Sequence, residues 1–262
     1  MNDNPLHSQG ARGLRRFFFP QPVTVSRSFE SLQGFVALLP ACFRTRVEGR
    51  VIYRGRNELR EFDCGGHKVV VKAFCKPSFI NRIAYGLFRK SKAQRSFEYA
   101  MLLRSHGIGS PAPIGWTSRR CGLFFADSYY ASLRSGLPYT YIDLMTEGRV
   151  PEAETLLREV GRVAGRMHNL GMIHRDFSRG NLLVGMVGGK PCVEVIDLNR
   201  IRFHAISKAE GLAGFSRLPA TPAMKRAMAE GYAEVRGYDA EECLRLWPET
   251  ESMSSRAAGE RV

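Results

Sequence analysis

One run near the middle of this 262-residue chain constrains its fold most: Ile173-His174-Arg175-Asp176-Phe177-Ser178-Arg179-Gly180-Asn181-Leu182-Leu183. Asp176 is followed by Asn181, then by an apolar run to Val187, the pair Gly188-Gly189, and a second apolar run from Cys192 into Val195-Ile196-Asp197. Two short apolar runs joined by a Gly-Gly turn predict a β-hairpin. A hairpin brings its ends together, so Asp176, Asn181 and Asp197 are expected at the mouth of one cleft. A carboxylate there suits an attacking hydroxyl. An amide oxygen and a second carboxylate are the hard ligands that Mg²⁺ prefers.

The upstream half supplies complementary parts. Val69-Val70-Val71-Lys72-Ala73-Phe74 reads as a strand carrying a lysine, and a helix predicted over Lys92 to His106 carries Glu98. Together with His-Arg-Asp and the following Asn, this order matches the catalytic-loop and strand-lysine pattern of kinases. In that pattern Lys72 bears on the ATP phosphates and Glu98 holds Lys72. Asp176 faces the acceptor hydroxyl, and Asn181 and Asp197 bind Mg²⁺. Gly55, in Tyr53-Arg54-Gly55-Arg56-Asn57, lies where kinases place a phosphate-covering loop. No GxGxxG is present, and an ordinary basic hairpin explains that segment equally well. Tyr129-Tyr130 is placed by chain order at the start of the connection between lobes, with its backbone toward adenine.

The rest of the chain fits an α+β molecule of two lobes. Strands are expected over Val47 to Tyr53, Glu58 to Asp63, Lys68 to Phe74, Ile114 to Thr117 and Leu123 to Ala131. Helices are expected after Pro151, where Leu156, Val160, Val163, Ala164 and Met167 form one stripe ended by Gly171, then over Pro222 to Val235 and Ala240 to Trp247. The expected division is a basic, partly ordered arm over 1–44 that ends in a short amphipathic piece, an antiparallel-sheet lobe with one helix over 45–132, a small and mainly helical lobe over 133–250, and a frayed tail over 251–262.

Charge narrows the partners. With 39 Lys+Arg against 25 Asp+Glu the formal net charge is +14, which favours a polyanionic partner such as a phosphorylated substrate, an anionic membrane or nucleic acid. No zinc finger, RNP motif or aromatic-rich basic stripe supports nucleic acid. The apolar run from Phe35 to Phe43 is far short of a bilayer span. The six scattered cysteines form no CxxC pair and read as reduced, idle thiols.

The sequence resembles the bacterial lipopolysaccharide kinase family, within the protein-kinase-like superfamily. The resemblance covers about residues 45 to 240. It rests on Val69 to Phe74, Ser91-Lys92-Ala93-Gln94-Arg95-Ser96-Phe97-Glu98, Gly107-Ile108-Gly109-Ser110-Pro111-Ala112-Pro113-Ile114, His174 to Asn181, and Ile196-Asp197-Leu198-Asn199-Arg200. It implies a two-lobed protein-kinase-like fold and transfer of the γ-phosphoryl group of ATP, with Mg²⁺, to a Kdo or heptose hydroxyl of the lipopolysaccharide inner core. Two departures from protein kinases agree: Asp197-Leu198-Asn199 replaces Asp-Phe-Gly, and no Ala-Pro-Glu follows. Arg200 and Arg202 then stand where an acidic sugar or its phosphates would bind, though a solvated strand end is an equal reading. Alternatives are an atypical protein kinase or antibiotic kinase of the same fold, or a non-catalytic adaptor at an anionic surface. A cytoplasmic location is expected, with Arg12, Arg15 and Arg16 beside Phe17-Phe18-Phe19 touching the inner membrane.

Overall fold

The structure is a computed structural model and describes residues 22–45, 49–74, 90–121 and 124–249. The Arg12–Phe19 portion of the expected arm, the frayed tail and Cys75 lie outside the described residues. Among the described residues no helix is long and apolar enough to cross a membrane.

The first lobe is built on a six-stranded sheet. Its strands are β1 (Val23–Val25), β2 (Arg50–Arg54), β3 (Asn57–Cys64), β4 (His67–Phe74), β5 (Pro113–Cys121) and β6 (Phe124–Leu133). The spatial order is β1-β5-β6-β4-β3-β2, with every pairing antiparallel. Alternation along β4 sets the two faces. Val69 and Val71 are fully buried with Ile114, Ala131 and Tyr129 beneath helix α1 (Gln33–Thr45). Phe74 turns to the other face and packs with Ala93 and Phe97 of helix α2 (Lys92–Ser105) and with Trp116. Lys72 shares the parity of Phe74, so it lies on the α2 face.

Part of the expected arm belongs to this lobe. Strand β1 pairs with β5, and Val36 and Leu39 of α1 are fully buried against the sheet. Arg60 of β3, 1% exposed, donates to the Cys42 carbonyl and lies over the Phe43 ring. The apolar content of Phe35 to Phe43 thus covers a sheet face. The lobe carries two described helices, where the sequence reading placed one.

The second lobe holds helix α3 (Tyr141–Leu144), helix α4 (Ala153–Asn169), strands β7 (Tyr139–Thr140), β8 (Met172–His174), β9 (Leu182–Val187), β10 (Lys190–Val195) and β11 (Ile201–Phe203), then helices α5 (Lys208–Ala213), α6 (Pro222–Arg236) and α7 (Ala240–Arg245). Helices α4 and α6 form its spine. They approach so closely that a Cβ at Gly161 would collide with the Met228 carbonyl. Leu156, Val160, Val163, Met167 and Met228 are buried there, each contributing about 1.5–3 kcal/mol. The flanking pairs Arg158–Glu230 and Arg162–Glu234, at 2.6 and 2.8 Å, add at most about 1 kcal/mol each.

Two segments join the lobes. Residues 134–138 follow β6, with the Arg134 amide donating to the Lys68 carbonyl at 2.8 Å. Residues 108–110 lie against β10, where the Val195 amide donates to the Gly109 carbonyl at 2.9 Å. A Cβ at Gly109 would strike the Val193 carbonyl, so this docking requires glycine.

Candidate active site

The hairpin expected from the Gly-Gly turn forms as β9 and β10, with Leu182 opposite Val195. One step further out, the Ile196 amide donates to the Asn181 carbonyl at 3.0 Å. Asn181 and Asp197 therefore flank the open end of one hairpin. His174, 3% exposed, ties the preceding loop to the same end. Its Nδ1 accepts from the Asp176 amide at 3.1 Å, which leaves Nε2 to donate to the Ile196 carbonyl at 3.2 Å. Burial holds the His174 pKa below its ordinary value. The neutral ring this favours is the form that can accept at Nδ1. Phe177 anchors the loop from below, edge-on to Phe215 in the core.

Each expected oxygen donor is held. The Asn181 Nδ2 group donates to the Asp176 carbonyl at 2.9 Å and to Ser178 Oγ at 3.2 Å. Its Oδ1 carries no hydrogen bond among the described residues. Asp197 adopts a left-handed backbone, φ 57°, a region that Asp tolerates better than most residues. Its Oδ1 takes both the Lys72 ammonium at 2.6 Å and Asn199 Nδ2 at 2.5 Å. Oδ2 of Asp197 is left over. One amide oxygen and one carboxylate oxygen fit Mg²⁺, which draws its remaining ligands from water and phosphate.

Asp176 is bracketed by cations. Arg217 Nη1 donates to its Oδ1, and Arg200 Nη1 lies 3.6 Å from its Oδ2. Arg56, Lys92, Arg95, Arg175, Arg200 and Arg202 line a cavity of about 510 Å³, with Asp197 its single acidic lining residue among the described residues. Phe74, Asn57 and Asn199 complete the wall. The Lys92 pKa is lowered by burial first, then by the nearby charges of Arg56, Arg95 and Arg200. Such a cleft is preorganised for a polyanion.

Two expectations from the sequence need correction. Lys72 meets Asp197, while Glu98 takes Lys90 at 2.8 Å and Gln94 at 3.0 Å. In place of the expected Lys72–Glu98 pair, each member is engaged by a different partner. Tyr129 and Tyr130 lie inside β6, opposite Ala73 and Lys72, and the connection begins only after Leu133. Strand β6 is simply longer than its apolar pattern predicts. Gly55 lies in the turn between β2 and β3, where the sequence placed it, its amide donating to the Asn57 carbonyl at 3.0 Å, and the neighbouring Arg56 and Asn57 line the cavity.

Lys92, Arg95, Arg175, Asn199 and Arg217 are site residues that motif reading passes over. Lys92, Arg95, Arg175 and Asn199 all fall inside runs that carry the family resemblance, so a signal for them existed. Arg217 lies 41 positions from Asp176 with no local pattern to mark it.

The family model described as "Lipopolysaccharide kinase (Kdo/WaaP) family" matches residues 141–227. That stretch contains Asp176, Asn181, Asp197 and Arg217, and the match bears out the resemblance drawn from the motifs. A solved structure of "WaaP in complex with acyl carrier protein" aligns with a TM-score of 0.57 at 18% identity, covering 86% of this chain and 92% of that one. The alignment supports the two-lobed kinase-like fold. No curated protein matches the chain in sequence.

Proposed function

We propose that the chain is an ATP- and Mg²⁺-dependent kinase that phosphorylates a Kdo or heptose hydroxyl of the lipopolysaccharide inner core. The observation that carries this reading is the meeting of Lys72, Asp176, Asn181 and Asp197 at one interlobe cleft, although they come from opposite lobes. Lys72 orients the α/β-phosphates once it leaves Asp197, and Glu98 receives it. Asn181 Oδ1 and Asp197 Oδ2 would hold Mg²⁺, which when bound would supply positive charge beside the phosphates. Asp176 orients the acceptor hydroxyl and takes its proton. The hydroxyl oxygen bonds to the γ-phosphorus as the bond to the β–γ bridging oxygen breaks, and ADP leaves.

The basic lining supports an anionic acceptor over a cationic antibiotic. The full set of reactive positions supports an enzyme over a non-catalytic adaptor. A core glycolipid presented at the cytoplasmic face of the inner membrane also suits the +14 charge and the basic arm. Labelled ATP offered with intact cores, truncated cores and a protein substrate tests the reading. Label on an inner-core sugar is expected. Label confined to protein overturns the sugar-kinase assignment.

A further inference from the structure

Arg217 has no place in the set above, yet it holds the carboxylate on which that set depends. Its side chain is 56% exposed, whereas that of Asp176 is 19% exposed. The guanidinium thus lies on the solvent side of Asp176, where an acceptor must arrive. With Arg200 near the second oxygen, both Asp176 oxygens face a cation. A hydroxyl arriving from the solvent side meets the guanidinium of Arg217 on Oδ1 first.

The position of Arg217 is imposed by the fold. It ends a short helical turn, Gly214–Arg217, whose Phe215 is 1% exposed. Phe215 packs on Phe177, the residue after Asp176, and on Tyr232 and Trp247. Leu218, fully buried, closes the turn with its amide on the Phe215 carbonyl at 2.9 Å. The backbone of Arg217 is therefore pinned to the same aromatic cluster as the Asp176 loop. Its side chain is a flexible stem that can swing between Asp176 and an incoming group.

A neutral acceptor would break the Arg217–Asp176 pair and return the guanidinium to water alone. An acceptor with its own carboxylate or phosphate beside the reacting hydroxyl would take over the guanidinium in bidentate fashion as it frees Asp176. Resting on the kinase reading above, we propose that Arg217 is the specificity residue that exchanges its pair with Asp176 for an anionic group of the acceptor, adjacent to the hydroxyl that is phosphorylated. Arg217 then screens acceptors by charge before transfer.

The test uses the full chain with labelled ATP and two acceptors: the inner core intact, and the same core with carboxylates reduced and phosphates removed. Wild type is expected to prefer the intact core by about tenfold or more, the worth of one charge-assisted hydrogen bond. Arg217→Ala is expected to raise KM for the intact core, to raise transfer to the stripped core, and so to lose the preference. Arg217→Lys is expected to restore part of it. An Arg217→Ala enzyme that keeps the wild-type preference, or falls equally on both acceptors, overturns the proposal. If no core takes label from wild type, the sugar-kinase reading fails separately. Arg217 is then read from ATP hydrolysis, where water brings no anion. A severalfold faster rate in Arg217→Ala supports the gating pair and an unchanged rate overturns it.

Discussion

The Lys72 ammonium lies 2.6 Å from Asp197 Oδ1, bridging the two lobes by a strand lysine and a residue at the end of a hairpin. Both side chains are mostly shielded from solvent. In the proposed reaction the two must separate, since Mg²⁺ and the phosphates compete for them. Lys72→Met is expected to reduce phosphoryl transfer by about 10²–10³-fold, in line with removal of one preorganised cation. The same change releases Asp197, so Mg²⁺ binding without nucleotide is expected to tighten. Steady-state kinetics and calorimetric titration with Mg²⁺ check the two effects. Weaker Mg²⁺ binding would contradict the competition.

Asp176→Asn keeps the shape of the loop, because His174, Asn181 and Phe177 hold it through backbone bonds and packing. It removes the proton acceptor. Turnover is expected to fall by about 10²–10⁴-fold, the usual worth of a positioned base, with ATP affinity kept. Single-turnover transfer beside equilibrium nucleotide binding measures both. Turnover close to wild type would remove Asp176 from its role.

Glu98 offers a sharper test of what motif order alone implies. It is held by Lys90 and Gln94 here, and pairing with Lys72 requires an exchange. If that exchange accompanies catalysis, Glu98→Gln lowers kcat by about tenfold, the worth of one charge-assisted bond, while Lys90→Ala leaves kcat close to wild type. Equal losses in both variants would mean that the Lys90–Glu98 pair is itself required.

Much of the site was legible because its parts are local. The hairpin ends, the strand lysine and the order Asp176, Asn181, Asp197 follow from turn residues and apolar runs. The partners of those residues were not legible. A lysine on β4 and a glutamate on α2 can each find several opposite charges, and only packing decides which is nearest. The α1 segment was read as part of an arm because burial against a sheet face leaves little local mark on thirteen residues with a proline inside. Arg217 is placed by the aromatic packing of Phe215 on Phe177, a contact between distant segments.

In the proposed reaction, ATP binding is expected to depend on the charge of Lys92, which lines the cavity. Burial and the charges of Arg56, Arg95 and Arg200 lower its pKa, so it loses its proton more readily than a free lysine. Bound phosphates oppose that loss. Nucleotide binding on the alkaline side is therefore expected to take up protons, and affinity to fall as pH rises through the lowered Lys92 value. Calorimetry in two buffers of different ionisation enthalpy counts the protons. Lys92→Gln is expected to abolish the uptake, and unchanged uptake in that variant would assign it elsewhere.

The α4–α6 spine carries an acid-sensitive stability determinant away from the cleft. His168 is 7% exposed, and its Nδ1 lies 3.0 Å from the Tyr232 hydroxyl. Burial, then the charge of Arg236, lowers its pKa to about 4 from the ordinary 6.5. The unfolded chain thus takes the proton first as pH falls, and the folded chain resists it. The contribution is fully present above the unfolded value of 6.5 and declines as pH drops toward about 4. The full difference is on the order of 3 kcal/mol. Denaturant melts between neutral pH and pH 4 are expected to show this loss. His168→Gln, which fills similar space without titrating, is expected to start less stable and to have a flatter acid limb. An acid limb as steep as wild type in that variant would place the sensitivity in the carboxylate pairs along the same helices, such as Arg158–Glu230 and Arg162–Glu234.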